Sequence, residues 1–163
     1  MPSLMDRASR LRRLVRSVSD RLRWLPPTVA RLTIGLVFLQ TGWGKVHNIQ
    51  KVVGFFTELG IPAPELQARL AATAELVGGA LILIGLFTRV ATLPLIATMT
   101  VAILTAKRGD IHELTDLLGM EEYLFLVVLL WLGAYGAGPL SLDALFARRL
   151  DAGERPLPRA AEA

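Results

Sequence analysis

Apolar residues in this 163-residue chain gather into long unbroken runs instead of alternating with polar ones. Between residues 70 and 106 only Glu75 and Arg89 are ionisable, and residues 123–142 carry no charge. A hydrocarbon core of ~30 Å takes about 20 helical residues to cross, with roughly 17 as the lower limit. Four segments meet that requirement, at residues 28–44, 70–87, 90–106 and 123–140. The second and third are separated only by Thr88 and Arg89, which predicts a tight helical hairpin. Pro94 falls one turn into the third segment, where a missing backbone donor costs least. None of the runs has the period of two that a membrane β-strand needs. Arg31 lies one turn in from the end of the first segment, close enough for its guanidinium to snorkel to the interface.

Residues 3–25 follow a different pattern. Leu4, Ala8, Leu11, Val15, Val18, Leu22 and Leu25 recur at steps of three and four, with seven arginines around the rest of the helix. Such a helix lies in the plane of the interface, over anionic headgroups. Arg12-Arg13 is not read as an export signal, because Arg16, Asp20, Arg21 and Arg23 interrupt the apolar run that would follow. The expected organisation is an interfacial leader at 1–27, a four-helix transmembrane domain at 28–146 and a disordered basic tail at 147–163. The fold class is all-α: a polytopic four-helix bundle preceded by an amphipathic helix.

Composition agrees. A chain that is 53% apolar with a mean hydropathy of +0.48 cannot bury its apolar residues in a soluble fold of this length. The net charge of +4 serves topology, not nucleic-acid binding. Of the 18 Lys and Arg residues, 13 fall on the side of the two termini and all 13 are arginine. The other side holds Lys45, Lys51, Arg69, Lys107 and Arg108, so both termini are expected in the cytoplasm of a plasma or inner membrane. The absence of cysteine removes disulfides, thiolate metal sites and thiol redox relays.

Charged groups inside spans cost ~2.5–3.5 kcal/mol each on insertion scales, so each one calls for a reason. Glu75, about one turn into the second span, shares a face with Gly78 and Gly79. Arg31, Gly35, Phe38, Gly42 and Lys45 form one stripe of the first span; Glu122, Leu126, Leu129, Gly133 and Gly136 form another in the fourth. Small residues on such stripes let neighbouring helices, or a second copy of the chain, approach closely. The pattern allows a Lys45–Glu75 or a Lys45–Glu122 pair and asks for a partner to Arg31 near the cytoplasmic face. These charges either lock helix register or form a functional site. Two histidines without cysteine give no metal-ligand spacing, so no metal is expected. Nucleotide-binding and hydrolase motifs are absent, and no connector is long enough to form a catalytic domain.

Four stretches together resemble the DoxX family of small four-helix membrane proteins. They are Arg31-Leu-Thr-Ile-Gly35 continuing to Gly42-Trp43-Gly44-Lys45, and Phe55-Phe56 leading to Gly60-Ile61-Pro62. The others are Glu75-Leu-Val-Gly78-Gly79 through Thr88-Arg89, and Glu122-Tyr123 running into Gly136-Ala137-Gly138-Pro139-Leu140-Ser141-Leu142-Asp143. The resemblance covers about residues 28–146 and implies membrane redox chemistry with a quinone or a partner subunit, as in thiosulfate:quinone oxidoreductase. Without its own redox centre, the chain would receive electrons from a bound quinone or a soluble or membrane redox partner. Under this reading Glu75 is the proton carrier, and Arg31, Lys45 and Glu122 line a quinone or polar pocket. His112, Trp43 and Tyr123 would stand near the ring. The alternatives are a non-catalytic scaffold that docks a partner enzyme and, more remotely, a small-solute permease.

Overall fold

The computed structural model describes residues 4–153, and all regular structure among them is helical. Helix α1 (Leu4–Leu22) leads into α2 (Leu25–His47). A short α3 (Ile49–Glu58) connects to α4 (Pro64–Ile84), followed by α5 (Thr88–Leu104). Then come α6 (Leu114–Gly119), α7 (Glu121–Tyr135) and α8 (Leu142–Gly153). Helices α2, α4, α5 and α7 pack as a four-helix bundle, with α3 laid against α4.

The core is made by the inward stripe of each bundle helix. Ile34 and Phe38 meet Ile82, Leu95, Met99, Leu129 and Leu132, all buried. Phe38 and Phe125 meet edge to face with ring centroids 5.8 Å apart. The outward stripes, including Leu32, Leu36, Val77, Leu93 and Leu130, stay exposed and form an apolar girdle of the kind lipid covers. The helical stretch ending at His47 and α4 are long and apolar enough to cross a membrane, and α5 is a shorter apolar helix. On α1 the side chains of Leu11, Leu14 and Val15 remain more than half exposed, as an interfacial helix requires.

Several boundaries differ from those predicted. Helix α2 begins early, at a corner where Pro26 and Pro27 occupy its first turn and lose no intrahelical bond. The hairpin turn is residues 85–87, not Thr88-Arg89. Gly85 (φ 72°) ends α4 with Leu86 N–H donating to the Leu81 carbonyl at 2.9 Å, a Schellman closure. Helix α7 stops at Tyr135, five residues short of the predicted end. Gly136 (φ 85°) and Gly138 (φ 80°) turn the chain there, and Pro139 follows. The tail is also corrected: α8 carries helix through Arg148 and Arg149 to Gly153, since Ala, Leu and Arg favour it and the first proline comes at 156. The remainder of the predicted disordered tail, 154–163, lies outside the described residues.

Candidate functional site

The charged residues within the bundle form two clusters, near opposite ends of α2. The first depends on how closely α2 and α4 approach. A Cβ on Gly35 would stand 2.7 Å from Leu83 Cα, one on Gly42 2.7 Å from Leu76 Cα, and one on Gly79 2.8 Å from the Phe38 carbonyl carbon. No side chain fits at these positions, so the helix backbones touch. Gly78 faces α5 instead, 3.1 Å from Leu95 Cγ by the same construction, and Gly133 faces Thr92 Oγ1 at 3.0 Å. Gly136 does not belong to a packing stripe; the helix has ended before it, and its role is the positive φ of the turn.

This contact sets Lys45, at the end of α2, across from Glu75. Because α4 starts six residues earlier than predicted, Glu75 stands about three turns into its helix instead of one. The Lys45 ammonium donates to Glu75 Oε1. The two partners differ sharply in exposure, 32% for the Lys45 side chain and 1% for Glu75. Glu75 Oε2 is buried and accepts no hydrogen bond among the described residues.

The second cluster surrounds Arg31, which is 5% exposed. Its Nη2 donates to the Leu140 carbonyl at 2.8 Å, whereas Nε and Nη1 have no acceptor among the described residues. The Asp143 carboxylate acts on it electrostatically. That same carboxylate caps α5 by accepting from Phe87 N–H at 2.8 Å and Thr88 N–H at 3.1 Å, and Asp143 N–H donates to the Gly85 carbonyl at 2.9 Å. Ser141 Oγ accepts from Ala144 N–H at 3.2 Å and so caps α8. Gly85 leaves the space that Arg31 Nη1 fills. Thr88 Oγ1 is buried here with no partner among the described residues. The start of α2, the α4–α5 turn and the α7–α8 loop are thereby fastened together at one end.

Arg31, Lys45 and Glu122 therefore do not form one pocket. Glu122 sits in the first turn of α7 and pairs with Lys107 at 3.8 Å. The Trp43 ring, 60% exposed, leans on His47 at 4.3 Å between centroids. Tyr123 is half-buried and His112 is exposed. Asp116 Oδ2 accepts from the backbone N–H groups of Glu113 (2.9 Å) and His112 (3.0 Å), which holds that carboxyl below its ordinary range. Sequence reasoning did not identify Gly85, Thr88, Ser141 and Asp143 as a cluster. The available signal was Ser141-Leu-Asp143 ahead of an apolar helical run, the composition of a helix N-terminus.

Comparison with known proteins agrees with this architecture. The DoxX family model matches residues 27–108. "Uncharacterized membrane protein Rv3486" of Mycobacterium tuberculosis is 37% identical over 144 residues, covering 78% of this chain and 86% of that one. "Putative oxidoreductase CatD" of Bacillus subtilis is 30% identical over 115 residues, 69% of this chain and 81% of that one. "Inner membrane protein YphA" of Escherichia coli is 34% identical over 61 residues, 37% of this chain and 44% of that one. No solved structure matches at comparable significance. With the family pattern running from the first turn of α2 past the end of α5, the chain belongs to the DoxX family of membrane proteins.

Proposed function

We propose that the chain is the membrane component of a quinone-linked oxidoreductase or oxidative-stress system, in which the Lys45–Glu75 pair exchanges protons. One observation carries this reading: Glu75 is ion-paired through one oxygen, while its other oxygen is buried with no hydrogen-bond partner among the described residues. A carboxylate kept only to lock helix register is expected to have both oxygens hydrogen-bonded, because a bare buried acceptor costs roughly 1–3 kcal/mol. A proton acceptor needs the free oxygen. Lys45, one-third exposed, connects the pair to the surface. The oxidoreductase wording in the name of the Bacillus subtilis relative supports the redox class.

A quinone takes up two protons with two electrons on reduction, which suits a protonic pair at the bundle edge. The backbone contact at Gly42 and Gly79 leaves no ring-sized gap between α2 and α4. A ring would therefore be received on the Lys45 side, at the opposite end of α2 from Arg31. Electrons would come from a partner subunit, the chain itself having no cysteine for a thiol relay. The arginines favour a cytoplasmic location for the fastened end, which would put the Lys45–Glu75 pair in the external half. The scaffold alternative has fewer surfaces to use, because Gly35, Gly42 and Gly79 are buried inside the chain's own bundle.

The test is titration of the detergent-purified protein, carrying Trp24→Phe, with a ubiquinone or menaquinone analogue while following Trp43 and Trp131 fluorescence. Saturable quenching lost in Lys45→Ala, together with quinone-dependent turnover lost in a folded Glu75→Gln variant, is expected. Turnover unchanged in Glu75→Gln would overturn the proton-carrier role, and absence of saturable quenching would overturn the quinone.

A further inference from the structure

A second location is independent of the Lys45–Glu75 pair. Helix α1 does not seat its apolar stripe against the bundle; between it and the end of α7 runs a groove of about 550 Å³. Its walls are apolar and aromatic: Val18 and Leu22 from α1, Pro27 from α2, Trp131 and Tyr135 from α7. The two aromatic rings lie side by side, with centroids 5.6 Å apart and planes tilted by 31°. Ser19 and Arg23 provide the polar part of the lining. Arg16 precedes Ser19 by three residues and so lies on the same side of the helix.

We propose that this groove holds one anionic phospholipid, with its phosphate at Arg23 and Ser19 and an acyl chain against Leu22, Pro27 and Trp131. The choice of occupant follows from chemistry and location. The groove is at the arginine-rich end of the molecule, where an amphipathic helix meets the bundle, which is headgroup depth for a helix lying in the interface. A long apolar slot with a cation at its mouth matches an acyl chain joined to a phosphate. Arg23 is available for this contact. Its pairing with Asp20 is long, at 3.9 Å, and both side chains are more than two-thirds exposed, so that pair contributes little. In a bilayer the molecules at highest local concentration around the groove are lipids, and those with negative headgroups are attracted to juxtamembrane arginines. The lipid would act as a wedge that fixes α1 against α7, replacing the side-chain packing the two helices lack.

Trp131 makes the proposal measurable. In a Trp24→Phe, Trp43→Phe background it is the remaining tryptophan and lies in the groove wall. The detergent-solubilised full chain is titrated with phosphatidylglycerol brominated on its acyl chains, and in parallel with phosphatidylcholine brominated identically. Saturable quenching is expected with phosphatidylglycerol at concentrations where phosphatidylcholine gives several-fold less. Arg23→Ala is expected to weaken the phosphatidylglycerol response about fivefold, the effect of removing one interfacial cation. Native mass spectrometry is expected to retain one phosphatidylglycerol per chain. Equal quenching by both lipids, unchanged in Arg23→Ala, would show ordinary annular lipid and overturn the proposal. Relief of quenching by millimolar inorganic phosphate would assign the polar subsite to a free anion and overturn it as well. Arg23 is highly exposed and takes no part in the Lys45–Glu75 pair, so this result and the quinone test can fail independently.

Discussion

Replacing Gly85 by alanine tests whether Arg31 is the fastener of the cluster at the start of α2. The residue has φ 72°, where a Cβ costs about 1–2 kcal/mol through contact with its own backbone. The added methyl would also stand 2.6 Å from Ser141 Cβ and overlap Arg31 Nη1, so the guanidinium must leave its position. Leaving it breaks the 2.8 Å bond to the Leu140 carbonyl, a charged hydrogen bond worth roughly 1.5–3 kcal/mol. The combined loss is about 2.5–5 kcal/mol, which on the soluble-protein scale of 2–4 °C per kcal/mol lowers the melting temperature by roughly 10 °C. The assay is thermal unfolding in detergent, followed by circular dichroism. Gly44→Ala is the matched control: its Cβ meets nothing within 4 Å inside α2, so the melting temperature should hold or rise. An Arg31→Met background separates the causes. With the guanidinium gone, Gly85→Ala should cost less than in the wild type by about the strength of the lost bond. Strictly additive effects would refute the claim that Gly85 is small for the sake of Arg31, and an unshifted melting temperature in Gly85→Ala would refute the packing itself.

Gly42→Val forces α2 off the α4 backbone and should destabilise the bundle by more than 3 kcal/mol, measurable as loss of the monodisperse species in size-exclusion chromatography. Lys45→Met leaves Glu75 buried without its cation and should cost about 3–5 kcal/mol, most of it recovered in the Lys45→Met, Glu75→Gln double variant; a double variant no more stable than the single would contradict the ion pair. Asp143→Ala frees the Phe87 and Thr88 amides, so hydrogen exchange at those two positions should accelerate while the amides of α7 stay protected. Asp116 titrates below the ordinary carboxylate value of 3.8, so its bonds to the His112 and Glu113 amides add stability above that value. The contribution fades as pH falls through the lowered value, and Asp116→Ala should remove this local pH dependence of amide exchange.

The helices themselves were legible because burial in lipid demands apolar length, and length can be read without knowing any contact. Their ends were not legible in the same way. A run such as residues 123–140 stays apolar past Tyr135, and hydropathy does not distinguish an apolar helix from an apolar loop. The helix ends where Gly136 takes a positive φ, and the following loop is held by the Arg31 bond to the Leu140 carbonyl and the Asp143 bonds to the α4–α5 turn. The opposite error occurred at α4, where Pro64, Glu65 and Arg69 suggested a connector. The helix extends through them because Pro64 stands at its first position, where a missing backbone N–H costs no intrahelical bond. Moving that boundary moved Glu75 from the rim of a span to its middle without changing its partner.

The charge partners separate along the same line. The stripes allowed Lys45 either Glu75 or Glu122, and the choice of Glu75 follows from the antiparallel register of α2 and α4 set by the glycine contacts at 35, 42 and 79. Glu122 lies on an equally regular stripe, yet it is taken by Lys107, a residue in a connector whose path no periodicity describes. Arg31 presents the hardest case. Its hydrogen-bond acceptor is a backbone carbonyl, at Leu140, and every residue in the chain carries one of those. What selects Leu140 is the turn at Gly136 and Gly138 together with the docking of α8 through Asp143, all of it tertiary. A buried arginine in a membrane bundle thus announces that a partner exists without saying which. The composition of the region around 136–143, with two glycines, a proline, a serine and an aspartate in eight residues, marks where an exposed carbonyl can be brought to meet it.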